Sequence, residues 1–204
     1  MIEITIDRED VSPCLRELYD AVRPEVMLRL AGKSVEKTLR DHFLERNNKP
    51  NAKGWPKRGL WGEIAEQTAM GAVTAEEVTV SVKHPALAHK IAGGTIKPGA
   101  GKKYLALPAT AAAYAAGSPS EGATPMLKVA LAYNAAIGHW MKALIVDENE
   151  SAKNKAGPTV WYWLARRATH KADPDAMPTE TTLVDAVVET IERALQRRKE
   201  ACAA

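Results

Sequence analysis

Apolar residues recur along the chain at two spacings, and these predict where it forms helices and where it forms strands. Between residues 13 and 46 the apolar positions follow each other at intervals of three or four, which is typical of a helix with one buried face. Pro24 interrupts this stretch, so it forms either one kinked helix or two helices that meet at Arg23-Pro24. A second stripe runs from 183 to 195, after Thr179, which is suited to cap a helix. The pattern therefore predicts two long helices.

Alternation of apolar and polar residues, or a β-branched and aromatic composition, predicts the strands. They fall at residues 2–6, 78–82, 127–131, 143–146 and 160–168. Short helices are predicted at 63–72 and 109–116, and two long polar loops at 47–62 and 147–158. We therefore predict an α+β fold in one domain, residues 1–204. In this fold the long N-terminal helix and the C-terminal helix pack on a mostly antiparallel sheet of about five strands.

The stretch 84–108, HPALAHKIAGGTIKPGAGKKYLALP, changes backbone type several times. Pro85 ends the strand before it, and a short helix is expected to follow. Gly93 stands where such a helix needs a left-handed residue at its end, and Gly94 allows a further turn. Extended segments are expected at 95–97 and 104–107, on either side of a loop rich in glycine and lysine.

The composition limits the class of protein. A formal net charge of +3 is too small to predict nucleic-acid binding by itself. The two cysteines, Cys14 and Cys202, supply no disulfide framework, which favours synthesis in a reducing compartment. No apolar run approaches the roughly 18 residues of a membrane helix, and the first residues do not resemble a signal peptide. We therefore expect a soluble protein that is made in the cytoplasm and has no membrane partner.

Signals for catalysis are weak. The glycines and lysines at 99–103 lack the spacing and the hydroxyl residue of a phosphate-binding loop, and His84 and His89 lack the glutamate of an H-E-x-x-H zinc site. One enzymatic alternative stays open: a metal-dependent hydrolase or nuclease, whose ligands would have to converge on one ion. Its candidate ligands are His84, His89, His139, His170, Asp173 and Asp175.

Lysines and tryptophans share the loop at 47–62. We expect Trp55 and Trp61 to anchor this loop by packing, with stacking on nucleic-acid bases as the alternative. The lysines here and near 97–103 are more often solvated than binding residues. A third hypothesis is direct DNA binding through these basic loops, which would weaken steeply with salt.

Several segments, taken in order, resemble the tailed-bacteriophage virion morphogenesis, or tail completion, proteins. They are DHFLERNN, KGWPKRGLW, HPALAHKIAGGTIKP, YLALPA and WYWLARRATHKADPDAMPTE. The resemblance covers residues 27–200. Its most specific part is similar to a family signature of an alanine, a histidine and paired glycines, at Ala86, His89, Gly93 and Gly94. Where the family often has arginine-proline, this chain has Asp173-Pro174.

The resemblance implies a structural, non-enzymatic virion protein without cofactors, assembled in the bacterial cytoplasm. It would complete or cap the head-proximal end of the tail as a ring of identical subunits, a hexamer or dodecamer. Its partners would be the tail tube or terminator and the head–tail connector, with at most weak, non-specific contact to DNA. The candidate contact residues are Trp55, Trp61, His89, Gly93, Gly94, Lys97, Lys102, Lys103, Lys153 and Lys155.

Overall fold

The computed structural model describes residues 16–17, 19–51, 53–119, 127–146 and 159–203. Its helices are α1 (Pro24–Asn48), α2 (Leu60–Glu66), α3 (Pro85–Ala92), α4 (Ala111–Ala116) and α5 (Glu180–Ala203). Its strands are β1 (Thr68–Val73), β2 (Val78–Val82), β3 (Gly94–Ile96), β4 (Leu105–Pro108), β5 (Lys128–Asn134), β6 (His139–Val146), β7 (Thr159–Ala165) and β8 (Ala168–His170). The predicted strand at 2–6, the loop at 147–158, and with it Lys153 and Lys155, lie outside the described residues.

These elements confirm the α+β class, with long helices towards both ends of the chain. The strands of the described residues are divided among three antiparallel sheets, ordered β1-β2, β3-β8 and β4-β7-β6-β5, instead of forming one sheet of about five. The difference arises from strand pairing, which the pattern along the chain does not specify. Strands β1 and β2 pair with each other, and so do the three-residue strands β3 and β8, apart from the four-stranded sheet.

Contacts group the chain into two compact units made of interleaved segments. Unit 1 comprises residues 1–48, 60–87 and 174–204, and unit 2 comprises 49–59 and 88–173. The expectation of a single domain stays a prediction.

In unit 1, α1 lies against the β1-β2 hairpin, α2 and α5. Gly32 allows the close approach to the hairpin, because a Cβ at this position would lie 2.6 Å from both Met70 Sδ and Val78 Cγ2. Further along α1, Phe43 is fully buried and stacks on Trp61 with 6.0 Å between ring centroids. Ile64 of α2 is also fully buried in this core.

Helices α1 and α5 share a small polar cluster. Ser34 Oγ donates to the carbonyl oxygen of Ala186 at 2.8 Å, and Thr190 Oγ1 approaches both Ser34 Oγ at 3.0 Å and the same carbonyl at 2.8 Å. Because every hydroxyl here has a partner, these small polar side chains can be enclosed between two helices at little cost.

The start of α1 decides between the two predicted forms of the N-terminal helix. Residues 19–21 are helical, Val22 is in a turn, and Arg23 is not helical. The carbonyl of Arg23 accepts the first hydrogen bonds of α1, from Val26 N and Met27 N. Pro24 therefore opens a new helix, where its missing N–H costs nothing, and the two-helix alternative is confirmed.

Two predicted boundaries between residues 47 and 72 are wrong. The loop ends at Gly59, because α2 begins at Leu60, and the predicted helix at 63–72 ends at Glu66 and gives way to β1. Thr68, fully buried, marks the change by donating its hydroxyl hydrogen to the carbonyl oxygen of Ile64. The helix was predicted too long because strand β1 is rich in alanine and glycine, so its residues do not alternate between apolar and polar as a strand's usually do.

In unit 2, one face of the four-stranded sheet is partly covered by α4. Tyr162 of β7 is fully buried, and its hydroxyl lies 2.9 Å from the carbonyl oxygen of Ala113 and 3.0 Å from that of Gly117. Burial raises the pKa of Tyr162 above its ordinary value. Thr110 caps the helix by accepting from Ala113 N. The hydroxyl of Tyr162 thus holds the C-terminal carbonyls of α4 onto the sheet.

Candidate interaction site

The turn after α3 carries the histidine and paired glycines that the sequence singled out. Gly93 has φ +67°, and its N–H donates to the carbonyl oxygen of His89 at 2.9 Å, which confirms the predicted helix end. A Cβ at Gly93 would lie 2.6 Å from Ala172 N and 3.0 Å from the carbonyl oxygen of His170. Only glycine fits here, both for its backbone conformation and for the backbone that passes it.

Strand β3 leaves this turn and pairs with β8, where Gly94 lies opposite His170. The His89 and His170 rings meet edge to face at 6.1 Å between centroids, and Asp173 N donates to the carbonyl oxygen of Lys90 at 2.8 Å. The signature residues therefore join α3 to the segment 170–173. Their arrangement accounts for a structural role.

The imidazoles do not converge as a metal centre would need. His84 Nδ1 accepts from Ala86 N at the start of α3, and its Nε2 lies 3.6 Å from a carboxylate oxygen of Glu63. His139 Nδ1 lies 3.0 Å from the carbonyl oxygen of Ile137, at the β5–β6 turn. Within the residues that the structure describes, no group of three or more His, Cys, Asp or Glu side chains could hold a metal ion.

The two predicted tryptophan anchors are both packed. Trp61 lies in α2, between Phe43 and the guanidinium of Arg46, whose Cζ is 4.3 Å from the ring centroid. Trp55 lies on Tyr114 of α4, with ring centroids 5.3 Å apart. Arg58 donates to the carbonyl oxygen of Tyr114, which ties the loop 49–59 to the same helix. The packing interpretation is thus confirmed for both tryptophans.

An open groove of about 680 Å³ runs beside β4 in unit 2. Three cationic residues line it: Arg58, Lys102 and Lys103. The sheet contributes apolar side chains to the same groove, namely Ala106, Leu144 and Leu164. An apolar floor beside basic groups fits a ligand that is itself both apolar and acidic.

Tyr104 is the aromatic residue of this groove, and cations surround it. Lys142 Nζ lies 5.5 Å from its ring centroid. A hydrogen bond with Lys142 lowers the pKa of Tyr104 below its ordinary value; partial burial opposes this shift, and the charges of Lys142, Lys103 and Arg166 add to it. The lowered pKa reflects a positive potential at this end of the groove.

The sheet face that forms the groove floor continues as an exposed apolar surface on β5 and β6. Val129 lies opposite Leu144, and Tyr133 lies opposite Trp140, so these side chains share one face. Val129, Leu131 and Trp140 are each 66% exposed, although they are large apolar residues. We call the groove and this surface together the basic-apolar face of unit 2.

The two units carry opposite net charge. Unit 2 contains 15 lysines and arginines against 5 aspartates and glutamates, and unit 1 contains 13 against 20. The formal charges are therefore +10 and −7, which add to the +3 of the whole chain. Among the residues of unit 2 that the structure describes, Asp173 is the single acid. The mild net charge of the sequence conceals this segregation.

Of the contact residues predicted from the sequence, Lys102 and Lys103 line the groove, whereas Lys97 does not. Sequence reasoning missed Tyr104, Lys142 and the exposed residues of β5. For the residues of β5 the signal was the alternation of apolar and polar positions, which predicts a strand but cannot tell which of its faces remains open.

No protein-family model, no curated protein and no solved structure matches the chain. None of the helices among the described residues is both long enough and apolar enough to cross a membrane.

Proposed function

We propose that this protein is a structural component of a tailed-bacteriophage virion, at the connection between head and tail. It completes or caps the head-proximal end of the tail as a ring of identical subunits. The resemblance of residues 27–200 to tail completion proteins supplies the class of protein. The observation that carries the proposal is the opposite charge of the two units, +10 against −7.

A ring of identical subunits requires each copy to present two different, complementary surfaces. A chain with one acidic and one basic unit meets this requirement, because the basic unit of one copy attracts the acidic unit of the next. A symmetric contact between two basic units would instead be repulsive. Charge thus favours a contact between unlike units, and in the proposed ring this contact repeats head to tail until the ring closes.

The exposed apolar residues of β5 and β6 add a second reason. Large apolar side chains clustered on one sheet face are typical of a surface that another protein covers. Because they lie beside the basic groove, a partner that covers them would make an apolar contact here and a charged contact with the groove lysines. The apolar part would add to the attraction between unlike charges, which the assembly needs in order to form.

The test combines mass and shape. Light scattering over a range of concentrations should show a discrete oligomer, and negative-stain images should show rings. Where the purified chain stays small, mixing it with tail tube or connector protein of the same phage should give a complex. A monomer in all of these conditions would contradict the proposal.

The enzymatic alternative, a metal-dependent hydrolase or nuclease, has its own test. Metal analysis of the purified chain would have to find stoichiometric zinc or manganese. Loss of that metal on substitution of His89 or His170, the two imidazoles that meet, would then support the alternative.

A further inference from the structure

We infer that the basic-apolar face of unit 2 binds the N-terminal segment, residues 2–10, of a second copy of this chain. The inference rests on the proposed function in one respect only, that copies of the chain associate. It adds which parts of the two copies meet.

The receiving surface is continuous across the sheet. Ala106, Leu144 and Leu164 line the groove, and Leu144 pairs with Val129, so the apolar groove floor borders directly on the exposed residues of β5. Cross-strand partners share a face, and residues two apart in one strand do too. The floor is therefore one apolar strip that begins inside the groove and continues onto the exposed residues of β5.

The charged groups around this strip are all positive in the described residues. Arg58, Lys102 and Lys103 line the groove, and Lys142 stands over Tyr104. An occupant without acidic groups would leave these cations uncompensated, and an occupant without apolar groups would leave the strip in water. The surface thus selects an extended segment that is apolar on one side and acidic elsewhere.

Residues 2–10, IEITIDRED, have this composition. Ile2, Ile4 and Ile6 alternate with polar residues, so an extended chain presents all three on one side. The same segment holds Glu3, Asp7, Glu9 and Asp10 against Arg8 alone. Its isoleucines match the apolar strip, and its surplus of acids matches the lysines.

The other stretches outside the described residues do not have this combination. Residues 120–126, SEGATPM, contain a single acid and no alternating apolar residues. Residues 147–158, DENESAKNKAGP, contain acids but no apolar side chain larger than alanine or proline. Sequence complementarity therefore singles out the N-terminal segment. Because it belongs to the acidic unit, its docking on a neighbour agrees with the attraction between unlike units.

We call the N-terminal segment, residues 2–10, the arm. The first experiment uses a labelled synthetic peptide of residues 1–12 and the full-length arm variant Ile2→Ser/Ile4→Ser/Ile6→Ser. Fluorescence anisotropy should show saturable binding of the peptide to this variant. Adding Lys103→Glu and Lys142→Glu to the variant should weaken binding at least tenfold. Arg167→Glu/Lys171→Glu is the matched control, since it reverses two exposed cations of the same unit that do not line the groove, and it should leave binding nearly unchanged.

The second experiment asks whether the segment comes from another copy. The arm variant has an intact groove, and a groove variant, Lys103→Glu/Lys142→Glu, has an intact arm. Each alone should remain monomeric, and their mixture should form a one-to-one complex by mass. A mixture that stays monomeric, although the peptide binds, would show that the arm docks within its own chain and would overturn the inference.

Absence of peptide binding, or binding that Lys103→Glu/Lys142→Glu leaves intact, would also overturn it. So would a single-stranded DNA oligonucleotide that binds the groove more tightly than the peptide and depends on the same lysines, since the site would then serve nucleic acid. Rings that form unchanged in the arm variant would reject this contact while leaving the proposed function standing.

Discussion

The two units of this chain differ in the sign of their charge and in where their exposed apolar side chains lie. Unit 1 encloses Phe43 against Trp61 and carries a surplus of acids. Unit 2 encloses Tyr162 under α4 but leaves Tyr133 and Trp140 exposed, among a surplus of cations. Both units expose some large apolar side chains, but those of β5 and β6 share one sheet face beside the cations of unit 2. Substitutions in the two units should separate side chains that stabilise the fold from side chains that serve association.

The largest effect is expected from Phe43→Ala in the core of unit 1. The ring is fully buried, so its removal leaves a cavity and should lower the free energy of unfolding by about 3–5 kcal/mol. Urea denaturation followed by tryptophan fluorescence measures this loss. Leu44→Ala is the control, since the neighbouring side chain is 48% exposed and should matter far less. Equal losses for the two variants would contradict the assignment of this core.

A smaller loss is expected from Gly93→Ala at the turn between α3 and β3. Its φ of +67° disfavours alanine, and the new Cβ would meet backbone atoms of residues 170–172, which cannot rotate away. Strain of this kind should cost about 1–3 kcal/mol of stability. Gly99→Ala, where a Cβ meets no atom within 4 Å, serves as the control. Thermal unfolding of both variants should show a lower midpoint for Gly93→Ala alone.

Leu131→Lys should sharpen the contrast between folding and association. The side chain is 66% exposed, but the new lysine would lie opposite Lys142, so the free energy of unfolding should fall by no more than about 1 kcal/mol. Self-association, measured by light scattering, should nevertheless be weakened. The matched control is Val184→Lys on α5, which also replaces an exposed apolar residue but lies in unit 1. If both variants associate as the parent does, the exposed face of unit 2 is not an interface.

The smallest effect concerns the ionisation of Tyr104. Because Lys142 lowers its pKa, its tyrosinate should form at lower pH than that of an ordinary tyrosine, and Lys142→Met should raise this pKa. The pKa is lower in the folded state, so the stabilisation is complete only above the ordinary tyrosine pKa. It is lost as the pH falls through the lowered value. Ultraviolet titration checks this, and Tyr104→Phe should remove the tyrosinate signal that appears at the lowered pH.

Local features of the fold could be predicted from the sequence. Pro24 and Gly93 determine a helix start and a helix end through their own backbone restrictions, and the structure has both. Trp55 and Trp61 were expected to pack because each offers a large apolar area that can be buried against the rest of the protein. Both rings are packed against another aromatic ring.

Features that depend on pairing could not be predicted. Strand β8 forms because its three residues pair with β3, where Thr169 lies opposite Thr95, 74 positions earlier in the chain. Tyr104 and Lys142 meet only because the strand order β4-β7-β6 brings them to one sheet face. The charge segregation between units was equally hidden, because it emerges only when interleaved segments are assigned to each unit.

The central claim is that copies of this chain associate through unlike units, the basic against the acidic. Sedimentation velocity at low salt, about 50 mM, and at high salt, about 500 mM, tests it most directly, because added ions screen attraction between exposed charges. The account predicts a discrete oligomer at low salt that dissociates towards monomer as the salt concentration rises. A monomer at both concentrations, or an oligomer that salt leaves unchanged, would contradict it.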